Sequence, residues 1–173
     1  MINETDKTPE RREKLALDAL NALGIKYAYF QHAPAKTMDD CKGLDDALGL
    51  PVHCKNLFLT NRQKTEFFLL LIGADKRFVT ANISKQIGKS RLSFGDDELL
   101  LERLNLLPGA VGPLSLIFDT DNAVTLLVDE DLRSGRMCFH PNVNTASVAM
   151  DSADFYGVFL PSVRHEPLFV HID

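Results

Sequence analysis

Residues 108–113 read Pro-Gly-Ala-Val-Gly-Pro, and residues 139–145 read Phe-His-Pro-Asn-Val-Asn-Thr. The first stretch cannot extend a helix or a central strand, because proline lacks a backbone N–H and glycine has no side chain to pack. A shaped turn of this kind can aim backbone N–H groups at one carbonyl or phosphate oxygen. It can equally be an ordinary connection between elements. His140 has the same two meanings: a histidine entering a loop orients a water, or it satisfies backbone groups. Lys55 stands just before the apolar run Leu57-Phe58-Leu59. Its ammonium therefore lies at the rim of a core beside Asn56, or snorkels to solvent.

Other chemistries find less support. The histidines at 32, 53, 140, 165 and 171 show no H-x-H or H-E-x-x-H spacing, and no C-x-x-C pair exists, so no metal site is expected. Cys54 or Cys138 could in principle be a nucleophile, and Cys138 shares strand parity with His140. Parity alone does not aim one at the other, and a half-buried structural cysteine is the simpler expectation. No G-x-S-x-G elbow, P-loop or G-x-G-x-x-G fingerprint is present, and no cofactor is expected.

The elements that must hold these loops follow from periodicity and turn chemistry. Thr8 as an N-cap and Pro9 in the first helical position predict an amphipathic helix that ends at Gly24. Residues 25–32 are aromatic-rich and predict a strand, and a short helix is expected from Thr37 to Leu48. Residues 54–60 and 66–72 predict an antiparallel pair about a polar connection at 61–65, the second strand central because it is apolar nearly throughout. A helix over 82–88, a short strand at 91–94 and a helix capped by Asp96 lead into the proline-glycine loop. A strand pair at 114–118 and 123–129, a strand at 145–150, a helix at 152–159 and an edge strand at 168–172 complete the chain. Hairpins interleaved with helices predict an α+β fold rather than a doubly wound parallel sheet.

At 173 residues, with 45% hydrophobic and 25% charged side chains, the chain suits one domain spanning residues 1–173. A net charge of −5 argues against a general nucleic-acid binder. A local basic stretch nonetheless carries Lys76, Arg77, Lys85, Lys89 and Arg91 without an acidic residue, which is either a solvated face or a contact for RNA. Three widely spaced cysteines, odd in number, argue against a disulfide framework, and with a polar N-terminus they predict a cytoplasmic protein with no membrane span.

Taken together, Cys-Lys55-Asn56-Leu-Phe-Leu, the 108–113 loop and Phe-His140-Pro-Asn-Val-Asn-Thr resemble the YbaK/prolyl-tRNA-synthetase-associated domain family. Within it the chain is similar to the free-standing proteins that deacylate alanyl-tRNA(Pro). The three motifs in this order, over nearly the whole chain, are specific where each alone is not. The resemblance implies a mixed, largely antiparallel curved sheet flanked by helices. It implies an aminoacyl-tRNA hydrolase acting on the acceptor end of mischarged tRNA(Pro), with prolyl-tRNA synthetase as a further partner. Sister members act on cysteinyl-tRNA(Pro), and a non-catalytic aminoacyl-tRNA-binding module is the rival from another class. The family's lysine maps onto Lys55, its glycine-x-x-x-proline loop onto Gly109, Ala110, Val111, Gly112 and Pro113, and its histidine onto His140. Lys55, Gly109 and His140 are thereby the expected catalytic groups, with Asn56, residues 110–113, Asn142, Asn144 and Thr145 around the substrate. The stretch from Lys76 to Arg91 is the expected contact to the acceptor stem. Phe118 before Asp119, and Arg164 before His165, depart from the family pattern, and neither position is given a role.

Overall fold

The computed structural model describes residues 4–34 and 51–173. The expected helix at 37–48, and Cys41 within it, lie outside the described residues. The first helix, α1 (Pro9–Ala22), starts where Thr8 accepts a hydrogen bond from Arg11 N at 3.2 Å and Pro9 fills the first helical position. Its inner stripe, Ala16 and Leu20, is fully buried. Gly24, at φ +69°, turns the chain into β1 (Tyr27–Gln31). Strand β2 (Val52–Thr60) returns antiparallel as β3 (Phe67–Gly73) through a turn in which Asn61 Oδ1 accepts from the backbone N–H groups of Thr65 and Glu66.

Every residue of β3 is buried, as its unbroken apolar sequence requires. Leu69 and Leu71 face the larger core beside α1, while Phe68, Leu70 and Ile72 face a second core under α2 (Thr80–Gln86). Short β4 (Ser93–Phe94) pairs with the end of β2, and α3 (Asp97–Leu104) begins at Asp96, which accepts from Leu99 N at 3.0 Å. Then follow β5 (Val124–Asp129), β6 (Arg136–Phe139), β7 (Ala146–Asp151), a helical segment α4 (152–162) with a π turn over Phe155–Phe159, and β8 (Pro167–Val170).

The strands form one mixed, curved and unclosed sheet in the order β1-β7-β6-β2-β3-β5-β8, with β4 beside β2. The α+β expectation therefore holds. Residues 114–118 differ from expectation: Pro113–Phe118 is a 3₁₀ helix, not a strand. Pro113 fixes the first φ, and Ser115 closes the turn by donating from N and Oγ to Gly112 O at 3.2 and 2.6 Å. A short apolar run bounded by turn residues has no periodicity that separates the two outcomes. Consequently β5 has no hairpin partner there and pairs in parallel with β3 and β8. Strand β6 is an element that the sequence patterns did not predict. Among the described residues no helix is long and apolar enough to cross a membrane.

Candidate active site

The proline-glycine loop leaves α3 through Asn105, which adopts the left-handed conformation at φ 53°. Ala110 N donates to Leu107 O at 3.1 Å, and Gly109 turns at φ +84°. A Cβ on Gly109 would lie 3.6 Å from Asn144 Nδ2. Gly112 is extended, with φ −164°, so any residue could adopt its backbone. Space is what excludes them: a Cβ there would stand 2.6 Å from the carbonyl oxygen of His140. Both glycines thus meet the 140–145 loop, and Gly112 allows the two backbones to touch.

That second loop joins β6 to β7, which pair antiparallel from Arg136↔Asp151 to Phe139↔Val148. His140 Nδ1 lies 2.8 Å from Ala146 O. A carbonyl only accepts, so Nδ1 carries the hydrogen and the neutral ring leaves Nε2 as an acceptor, without a partner among the described residues. Burial holds His140 below the ordinary histidine value, His32 and His53 push the same way, and the bond to Ala146 opposes them. His32 stands with its ring 5.9 Å from that of His140, fixed by Ala33 O at Nδ1 and Ser147 Oγ at Nε2. Asn142, at φ 62°, is buried, and neither its Oδ1 nor its Nδ2 has a partner among the described residues. Asn144 is half-buried and Thr145 is exposed.

Strand register decides which side Lys55 faces. Strands β2 and β6 run parallel with His53 opposite Cys138. Alternation along each strand then puts Lys55 and His140 on one face of the sheet. The same face carries Ala28, Cys138 and Ala149, a floor of small side chains. Lys55 Nζ donates to Lys76 O at 2.7 Å. Asn56 takes the opposite face with Cys54 and Phe58; its Nδ2 donates to Cys54 O at 3.4 Å, and its buried Oδ1 has no partner among the described residues. Burial pushes the Cys54 thiol up to about 12, so it is a neutral packing group and not a thiolate.

The basic stretch divides into engaged and free cations. Lys76 Nζ is held by Asp129 Oδ1 at 3.0 Å, Asp131 Oδ2 at 2.6 Å and Ile172 O at 2.8 Å. Burial works against that ammonium, but the two carboxylates outweigh it and keep it protonated. Lys89 is paired with Glu66. Arg77, Lys85 and Arg91 are exposed and make no ion pair among the described residues.

The fold therefore brings Lys55, His140 and the 109–113 loop to one region and turns Asn56 away from it. His32 and Ser147 join the site without having been singled out by sequence patterns. Their partnership depends on β1–β7 register, Phe30↔Ser147, between segments more than a hundred residues apart, which no local signal encodes. A half-buried imidazole, an ammonium on the same face of the sheet and a tight backbone turn suit the placement of water and a polarised carbonyl. They do not form a nucleophile–base–acid relay.

A family model described as an aminoacyl-tRNA editing domain matches residues 32–157. Prolyl-tRNA synthetase associated domain-containing protein 1 of Danio rerio is 30% identical over 157 residues, covering 89% of this chain and 84% of that protein. Prolyl-tRNA editing protein ProX of Acetoanaerobium sticklandii is 30% identical over 137 residues, covering 78% of this chain and 82% of its own. Among solved structures, one described as a proposed trans-editing enzyme for prolyl tRNA synthetase superposes with a TM-score of 0.68 at 15% identity, over 94% of this chain and 96% of that one.

Proposed function

The chain belongs to the aminoacyl-tRNA editing domain family, and from that premise we propose that it hydrolyses the ester of mischarged tRNA(Pro), alanyl-tRNA(Pro) foremost. The observation that carries this is the contact of the two loops, in which Gly112 admits the His140 carbonyl where a Cβ would be 2.6 Å away. It fixes the turn that would receive the ester carbonyl against the histidine that would orient water.

A synthetase pocket shaped for proline discriminates weakly against a smaller amino acid, since each missing methylene is worth only about 1–3 kcal/mol. A second sieve must accept the small side chain and refuse the ring. The small side chains of Ala28, Cys138 and Ala149, on the face shared by Lys55 and His140, support that reading. Water adds to the ester carbonyl, the bond from the carbonyl carbon to the ribose oxygen breaks, and free amino acid and the ribose hydroxyl leave. In this assignment His140 Nε2 accepts from the attacking water or a ribose hydroxyl. Lys55 sets positive charge against the terminal phosphate or the oxyanion, and residues 109–113 line the carbonyl. Asn142, Asn144 and Thr145 contact the terminal nucleotide, and Asn56 supports β2 from the opposite face. Arg77, Lys85 and Arg91 take the RNA backbone, with Lys76 and Lys89 contributing through their neighbours.

The test is release of alanine, cysteine, serine and proline from separately charged tRNA(Pro). Alanine should be released fastest above the spontaneous rate, and proline not at all. Lys55→Ala should lower alanine release by about 100-fold or more, the scale for removing a charge aimed at the reacting centre. A wild-type protein that binds charged tRNA and releases nothing is a binding module, and the hydrolase assignment fails.

A further inference from the structure

We infer that Phe94, with Phe78 behind it, is a stacking platform for a base of the unpaired RNA strand that ends at the site. This rests on the reading of the site as one that receives the 3′ end of a tRNA. Phe94 is 62% exposed, the most exposed of the large hydrophobic side chains among the described residues, and Val79 beside Phe78 is 51% exposed. The Phe78 and Phe94 rings meet edge to face, with centroids 5.9 Å apart and planes at 66°. One ring braces the other and leaves a face of Phe94 available.

The ring is held outward by its strand. Gly95 N donates to Phe58 O at 2.9 Å, and Gly95 lies so close to the Phe58 ring that a Cβ would be 2.4 Å from it. Phe94 is opposite Leu59 in the antiparallel register, so it shares the face of Leu59 and, by alternation, of Lys55. Leu59 lies four positions along β2 from Lys55, about 13 Å at ~3.3 Å per residue. About four nucleotides span that distance when stacked at ~3.4 Å each. A strand whose last ribose lies at Lys55 therefore has a nearby base within reach of Phe94.

The surrounding charge selects RNA over a second apolar surface. Arg77 adjoins Phe78, Arg91 precedes β4 and Lys85 lies on α2, all exposed and without carboxylate partners among the described residues. Of the carboxylates around that edge, Glu66 is paired with Lys89 and Asp96 with Lys64 at 2.6 Å, while Asp75, Asp97 and Glu98 are also exposed, so the cations that remain for RNA are the local ones at Arg77, Lys85 and Arg91. An exposed aromatic ring beside exposed cations is what sequence-tolerant binding of single strands needs, because every base has a π face and every linkage a negative charge.

The test uses a short single-stranded RNA ending in CCA, uncharged, with 2-aminopurine replacing one upstream base. Wild type should bind it and quench the probe. Phe94→Ala should weaken binding about 5- to 150-fold and abolish quenching, the range for one base-aromatic stack. Phe94→Tyr should restore both, and Phe94→Leu should not. Replacing Arg77, Lys85 or Arg91 with alanine should reduce the salt slope by about 0.7 each, the value for one contact to a single strand. A blunt duplex should be indifferent to Phe94. Tail binding by Phe94→Ala or Phe94→Leu equal to wild type overturns the proposal, and assigns the patch to a protein partner. No binding by wild type overturns it too. Because the RNA carries no ester, loss of hydrolysis with Phe94-dependent binding intact would sink only the hydrolase reading.

Discussion

One face of the sheet is built in two ways. Beneath α2, strands β2, β3 and β5 present Leu59, Phe68, Leu70, Ile72 and Leu127, with Ile83 of the helix closing over them. At the other half, β1, β7 and β6 present Ala28, Ala149 and Cys138, and the polar side chains of His32, Ser147 and His140 stand among them. A buried leucine contributes about 1.5–3 kcal/mol through its area, and an alanine far less. The first half is therefore held by side-chain bulk. On this face the second presents small and polar side chains, and its strands are held by backbone pairing, by the contact between its loops and by Met137, Phe139, Val148 and Met150 on the opposite face.

The sharpest division would come from Leu70→Ala. Leu70 is fully buried, and its truncation should cost about 2–5 kcal/mol, read from urea denaturation. Alanine release per folded molecule should stay at the wild-type level. If activity fell with stability, the two halves would be one cooperative device, and the comparison would break.

Gly112→Ala should do the converse. Its new methyl meets the His140 carbonyl at 2.6 Å, a backbone atom that cannot rotate away. The loops must part by something approaching an ångström, a displacement that can cost about 100-fold in rate. Stability should drop by only about 1–3 kcal/mol, as for other overpacked positions. Gly109→Ala provides the internal control. There the obstacle is φ +84°, while the nearest atom, Asn144 Nδ2, lies at an ordinary 3.6 Å, so the loss of rate should be smaller.

The turns at 108–113 and 140–145 were legible because glycine, proline and a flanked histidine carry local meaning. The same is true of the caps at Thr8 and Asp96 and of the fully apolar β3. What joins them was not. Lys55 and His140 share a face only because β2 and β6 pair in parallel, a contact that depends on two strands about eighty residues apart finding a register. Pro113–Phe118 was misjudged for a different reason: four buried residues in a row suit a strand and a tight helix equally, and the proline settled it. Asn56 illustrates a third limit. Its place next to Lys55 in sequence puts it on the other side of the sheet, since neighbours in a strand point apart.

The smallest effect separates the halves by pH. Burial, with His32 and His53, holds His140 below its ordinary value of 6.5, against the bond to Ala146 O. Below 6.5 the unfolded chain takes up a proton on this residue that the folded protein does not yet accept. Stability is thus undiminished above 6.5 and declines as the pH falls towards the folded value, by at most about 1.4 kcal/mol per pH unit for one proton. His140→Gln can still donate to Ala146 O and has nothing to titrate, so its stability should lie flatter between pH 7 and 5. Carboxylate effects, such as Asp119, which His165 and two backbone N–H groups draw below 3.8 against its burial, appear at lower pH and in both proteins. Leu70→Ala should keep the wild-type pH slope because it lies in the other half. If Nε2 accepts a hydrogen bond during hydrolysis, alanine release corrected for the spontaneous rate should persist below pH 6.5. An activity midpoint at or above 6.5 would remove His140 from that role, and a wild-type slope in His140→Gln would remove it from the stability difference as well.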